Sequence, residues 1–262
     1  MFPSFDILGR TFYSYSVMAA VGLLIAGVFI CRQAGKRGLD TNRVIILLLL
    51  ICVGIMAGGH ILYGITNFDK LRLFKEVTDV RSFFQTVGTI FGGSVFYGGL
   101  IGGAATGFVS ARIMKLETKP CMDIIAPGIP LFHSFARVGC FLGGCCYGVE
   151  CDIGFTYTNS LSAAANGVSR FPVQLLEAGG NVVIFLILWY LLEKGKLRGR
   201  LLSLYLILYP ILRFLDEFLR GDAIRGFVGP LSTSQFISIL LFIVGITTMI
   251  IGSRQAKRKE DA

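Results

Sequence analysis

The chain's apolar residues come in unbroken runs rather than at the spacing of a soluble core. Such runs occupy 44–55, 182–192, 201–212 and 236–251. A membrane-spanning helix needs roughly 20 mainly apolar residues, and a soluble domain has no use for several segments of this kind. Charge agrees, since 16% of residues are charged against about a quarter in soluble domains. The chain therefore reads as an all-α integral membrane protein with about seven transmembrane helices, near 13–31, 44–63, 92–114, 121–142, 172–192, 201–219 and 234–252. Met1 to Arg10 lacks the basic stretch of a secretory signal, so the first helix is expected to stay as an uncleaved span.

Lys and Arg concentrate in 32–43, 112–119, 194–200 and 254–259, which all fall on one side of a seven-span plan. The other side carries fewer, among them Arg10, Arg170, Arg220 and Arg225. The richer side is expected to be cytoplasmic, which puts the N-terminus outside and the C-terminus in the cytoplasm. The net charge of +9 then has a simple origin in loop bias. It calls for no nucleic-acid partner and favours membrane lipids with anionic headgroups. Two outer segments are too long for turns. The stretch 64–91 mixes apolar and charged residues, as in an interfacial amphipathic arm, and 143–171 is rich in Gly, Cys and Ser, as in a small outer head. No repeat and no paired broken helices of the transporter kind stand out, so residues 1–262 read as one polytopic membrane domain.

Ionisable groups at membrane depth cost at least ~2.5–3.5 kcal/mol each at a helix centre, so those present need a partner or a task. Arg137 and Arg213 lie within spans. A guanidinium is planar and permanently charged, and its donors match a phosphate diester. Two of them would clamp one lipid phosphate. The competing reading is structural, with Arg213 paired to Glu177 or Glu217 and Arg137 snorkelling outward. Gln174 and Glu177 are three apart, share a helix face after Pro172, and make Arg137 or Arg213 the natural partner of that carboxylate. His60, after Gly58-Gly59, is more often a hydrogen-bonded packing residue than a ligand. The segment Tyr97-Gly98-Gly99-Leu100-Ile101-Gly102-Gly103 suits close helix packing, or a helix whose backbone a bulky ligand can approach. Cys140, Cys145, Cys146 and Cys151 cluster as C-x4-C-C-x4-C. Zinc or disulfides are conceivable. The missing C-x2-C pair and the adjacent Cys145-Cys146 favour a plain loop of small residues over a metal site.

Taken together these residues resemble the prolipoprotein diacylglyceryl transferase family over nearly the whole chain. The likeness rests on Ser14-Tyr15-Ser16, Gly58-Gly59-His60, Tyr97 to Gly103, Ala136-Arg137-Val138-Gly139-Cys140-Phe141 to Tyr147-Gly148, Arg170 to Glu177, Tyr209 to Arg220, and Ser234-Gln235 at the last span. There are departures. A family His is Tyr97, an Arg is His60, and in the signature Asn, Asn and Glu become Cys140, Gly143 and Cys145.

The resemblance implies an enzyme of the bacterial cytoplasmic membrane. Its substrates would be phosphatidylglycerol and the lipobox cysteine of prolipoprotein signal peptides. The diacylglyceryl group moves to the thiol, a thioether forms and glycerol 1-phosphate leaves, with no metal or organic cofactor. It also implies that Arg137 and Arg213 hold the phosphate, that Tyr97 orients lipid, and that Gly98, Gly99, Gln174, Glu177, Tyr209, Tyr15 and His60 line the lipid site. His60, His133 or water would take the thiol proton, since a phenol with a pKa near ~10 is a poor base at neutrality. The alternatives are a related transferase with another acceptor, and a lipid-binding membrane protein without chemistry.

Overall fold

The computed structural model describes residues 1–222 and 226–260, so Arg225 of the charge pattern lies outside the described residues. Its helices are α1 (Ser14–Lys36), α2 (Thr41–Thr66), α3 (Val80–Phe91), α4 (Phe96–Ile113), α5 (Thr118–Gly143), α6 (Val173–Glu193), α7 (Leu201–Asp216) and α8 (Thr233–Glu260). Each expected span meets one of them. By length and apolarity, α1, α2, α5, α6 and α8 can each cross a membrane. Helices α4 and α7 stand at the other two expected spans, with 18 and 16 residues, and a 3-10 turn at Glu217–Leu219 prolongs α7. Large apolar side chains such as Leu24, Val53, Val183 and Ile243 are exposed along these helices. Such surfaces are at home in lipid and would aggregate in water. The protein is an all-α, multi-pass membrane protein.

The chain folds as two compact units, one built from Met1–Gln33 and the chain from Lys119 onward, the other from Ala34–Thr118. In the second unit α2 and α4 pack through glycines. A Cβ on Gly58 would come within 2.2 Å of the Gly98 carbonyl oxygen, one on Gly98 equally close to that of Gly58, and one on Gly102 within 2.2 Å of that of Gly54. No side chain fits such a contact, so the backbones touch, as small residues permit between membrane helices. Packing alone thus requires glycine at Gly98. At the end of α2, His60 Nδ1 lies 2.7 Å from the Phe91 carbonyl and 2.8 Å from that of Gly93, and donates to them. His60 therefore ties down the turn into α4, the packing task weighed for it.

The arm expected at 64–91 is helical. It is a 3-10 helix, Phe68–Glu76, followed by α3, whose start is closed by a reciprocal box between Asp79 and Ser82. The Ser82 hydrogen bonds hold the Asp79 carboxyl below its ordinary range.

The first unit contains α1 and α5 to α8. Gly22, Gly128 and Gly139 of α1 and α5 let these helices close on Phe135, Ile30 and Tyr15 respectively. Asp123 of α5 accepts the backbone N–H groups of Gly199 and of Leu201 (3.0 Å to the latter), so a carboxylate stands at the positive N-terminal end of α7. Helix α8 opens with Ser232 and Gln235 bonding each other's backbone N–H at 3.1 Å.

Among the described residues, three short antiparallel strand pairs were not foreseen. Strands β1 (Ser4–Ile7) and β2 (Arg10–Tyr13) join through Leu8 and Gly9, both at positive φ, the geometry of a tight hairpin turn. Strands β3 (Glu150–Thr156) and β4 (Ser169–Arg170) form the expected head, and β5 (Phe227–Val228) and β6 (Leu231–Ser232) precede α8. Backbone bonds from Val149 to Leu219, Phe171 to Val149 and Gly221 to Tyr147 then fix the head to the ends of α6 and α7.

Candidate active site

Three helices of the first unit carry polar residues at helical spacing on faces that meet. Helix α5 bears His133, Arg137 and Cys140; α6 bears Gln174, Glu177 and Asn181; α7 bears Tyr205, Tyr209, Arg213 and Asp216. Residues three and four apart share a helix face, so each helix offers a polar strip within an otherwise apolar sequence.

Both arginines are held by carboxylates. Arg137 Nε lies 3.0 Å from Glu177 Oε1, and the Glu177 side chain is 1% exposed. Arg137 does not snorkel outward; it turns inward to Glu177, within electrostatic reach of the Tyr209 phenol. Arg213 Nη1 lies 2.7 Å from Glu217 Oε2, and Arg213 Nη2 donates to Ser234 at 2.9 Å. The structural pairing anticipated for the arginines is therefore real. It does not exhaust them. The Arg213 Nη1 contact is an ion pair off the hydrogen-bond line, and buried Glu177 receives no aligned hydrogen bond on either oxygen. Tyr209 and Asp216 each lie within electrostatic reach of both guanidiniums. Two guanidiniums facing common neighbours in a low-dielectric interior have the chemistry to hold an anion.

Gln174 has a structural task in the head. Its amide donates to the Cys145 carbonyl at 2.8 Å and exchanges bonds with the Tyr157 hydroxyl at 3.1 and 3.2 Å. Gln174 and Tyr157 are both fully buried, so this contact pins the head to the start of α6. Tyr157 was missed because nothing local marks it; burial raises its phenol pKa, and the hydrogen bond to Gln174 opposes that rise. Tyr15, in the first turn of α1, is close to Gly139 and in range of Arg137 and Cys140. His133 packs beside Tyr205 and Tyr209, with its Nδ1 3.3 Å from the Tyr205 hydroxyl. Tyr97, Gly98, Gly99 and His60 belong to the other unit. Asn181 and Asp216 are further buried polar residues that sequence reasoning passed over.

The cysteines fall into two groups. The sulfurs of Cys140, Cys145 and Cys146 lie within 4.8 Å of one another. Cys151 is not among them, and its sulfur sits 3.2 Å from the Ile153 carbonyl. All seven cysteines are free thiols. Hydrogen bonds from the Cys140 and Cys145 thiols hold Cys146 below the usual thiol range, and the Arg220 and Arg137 guanidiniums add to that.

This combination defines a class: a multi-pass membrane protein with two carboxylate-paired arginines buried among its helices. Comparison with known proteins makes the class specific. Residues 4–251 match the family described as prolipoprotein diacylglyceryl transferase. Among the relatives, the phosphatidylglycerol–prolipoprotein diacylglyceryl transferase of Clostridium tetani is 35% identical over 245 residues, 92% of this chain and 94% of that one. Transferase 2 of Clostridium perfringens, with the same description, is 34% identical over 256 residues, 97% of this chain and 96% of its own. That of Geobacter sulfurreducens is 31% identical over 259 residues, covering 97% of this chain and 96% of its own. The chain belongs to the prolipoprotein diacylglyceryl transferase family.

Proposed function

We propose that this protein transfers the diacylglyceryl group of phosphatidylglycerol to the lipobox cysteine of prolipoproteins, in the bacterial cytoplasmic membrane. The observation that carries this reading is the pair Arg137 and Arg213, each anchored by one carboxylate with donors left over, around the common neighbours Tyr209 and Asp216. The reaction is attack of a thiolate on the glyceryl carbon that bears the phosphate ester. The carbon–sulfur bond forms, the carbon–oxygen bond breaks, and glycerol 1-phosphate leaves with the electron pair. Negative charge builds on the departing phosphate, and preorganised guanidinium donors lower the barrier most where water is scarce.

The carboxylates have a role in this. Glu177 and Glu217 hold the guanidiniums at fixed angles, so less reorganisation is required when lipid arrives. An apolar groove between α7 and α8, lined by Pro210, Phe214, Ile239 and Phe242, adjoins Arg213 in sequence and suits an acyl chain of the same lipid. The test is direct. Purified protein, phosphatidylglycerol and a lipobox peptide should yield a diacylglyceryl thioether peptide by mass spectrometry. A peptide left unmodified under conditions where lipid binds would favour a different acceptor or a binding role.

A further inference from the structure

The three converging thiols are not used by the arginine site. Cys140 closes the last turn of α5, one turn beyond Arg137 on the same face. Gly144 (φ 72) and Cys146 (φ 60) both adopt left-handed backbone, which folds the chain back so that the adjacent Cys145 and Cys146 present their sulfurs to Cys140. Left-handed backbone is uncommon for a residue other than glycine. The amide of Gln174 fixes the Cys145 carbonyl from the side. The difficulty seen in the sequence, two neighbouring cysteines serving one metal, is thus removed by the fold.

We propose that Cys140, Cys145 and Cys146 bind one zinc ion, and that its fourth coordination position takes the acceptor's cysteine thiol as a thiolate. Zinc–sulfur bonds of about 2.3 Å place tetrahedral ligand sulfurs about 3.8 Å apart. Sulfurs already within 4.8 Å reach that by side-chain rotation. Three protein ligands and one open position is the pattern of a zinc site that handles substrate rather than one that only braces a fold. Charge fits too. A zinc trithiolate carries one net negative charge, and two once a fourth thiolate joins. Arg137 and Arg220 stand within electrostatic reach of the cluster to offset them.

The second half of the proposal rests on the transferase reading. Coordination releases the acceptor's thiol proton to water, so the thiol needs no strong base beside it. The zinc-bound sulfur then attacks the glyceryl carbon as its bond to the phosphate oxygen breaks. Zinc keeps its charge and no electron is transferred.

The experiment uses the full chain in detergent, purified without chelator and dialysed. The expected result is about one zinc per chain, lost in Cys145→Ser and in Cys146→Ser but kept in Cys151→Ser. Cobalt substitution should give sulfur-to-metal charge-transfer bands and tetrahedral d–d bands. The d–d bands should shift on adding a lipobox peptide and not on adding its Cys-to-Ser counterpart. Zinc content equal in wild type and both variants, or a disulfide within the cluster with no cobalt bands after reduction, overturns the metal site. Cobalt bands blind to the peptide overturn the thiol-binding role. Undiminished transfer by zinc-free protein overturns the catalytic part and leaves the transferase reading intact. Bound zinc with a peptide-dependent spectrum but no transfer supports the site and counts against the transferase reading alone. Because metal content and spectra need no turnover, the two failures are distinguishable. Native-like thermal melting of Cys145→Ser and Cys146→Ser separates metal loss from misfolding.

Discussion

Arg137 Nε and Glu177 Oε1 meet at 3.0 Å between α5 and α6, with the carboxylate almost wholly buried. This contact joins the two parts of the account. It satisfies a charge that the membrane would otherwise penalise, and in the proposed reaction it sets the angle at which the remaining donors of Arg137 would meet a phosphate. Breaking a buried pair from one side leaves the other charge uncompensated, at a cost of about 3–5 kcal/mol. Glu177→Ala is therefore expected to lower thermal stability in detergent sharply, whereas Glu177→Gln, which keeps shape and an acceptor, should lose less. Equal melting temperatures for wild type and Glu177→Ala would show that the pair is not structural.

Arg213 is expected to matter more for turnover than for folding. Its Glu217 partner is four residues along the same chain segment, so that ion pair does not join two helices. Loss of one preorganised donor aimed at developing charge slows a reaction by about 10²–10³-fold. Arg213→Lys keeps the charge but not the planar fork, and should fall between wild type and Arg213→Ala. Single-turnover rates with saturating lipid would read this.

The glycine contact between α2 and α4 gives a stability prediction in the other unit. A methyl group on Gly98 meets the Gly58 carbonyl oxygen at 2.2 Å, so the helices must part. Overpacking of this kind costs about 1–3 kcal/mol. Gly98→Ala should lower the melting temperature, and Gly27→Ala, where a Cβ meets nothing within 4 Å, should not.

Tyr157→Phe removes the hydroxyl that Gln174 both donates to and accepts from. A buried amide left without one partner costs about 1–3 kcal/mol. The expected consequence is a loosened head, seen as faster amide exchange over β3 and β4 with the helices unchanged. Tyr97→Phe, by contrast, should retain turnover, because a phenol is a poor base near neutrality; an inactive Tyr97→Phe that binds lipid normally would return the proton step to that residue.

Much of this was legible beforehand. The apolar runs alone place the helices to within a few residues, because a helix in lipid must satisfy its own backbone. The longest extension, at the end of α8, runs through polar residues to Glu260 and carries no apolar signal. Arg137, Arg213 and Glu177 were readable as an expensive set needing one another. The rest depended on contacts between distant segments. Tyr157 finds Gln174 across the head, Asp123 finds the start of α7 far along the chain, and Cys146 turns back to Cys140 through a left-handed residue. The short hairpins have too few residues to show an alternating pattern.

The most direct test of the central claim is the yield of diacylglyceryl thioether peptide from purified protein, phosphatidylglycerol and a lipobox peptide, in wild type and in Arg213→Ala. Product is expected from the wild type, with a fall of about 10²-fold or more without Arg213. Product formed at the wild-type rate by Arg213→Ala would contradict the arginine clamp.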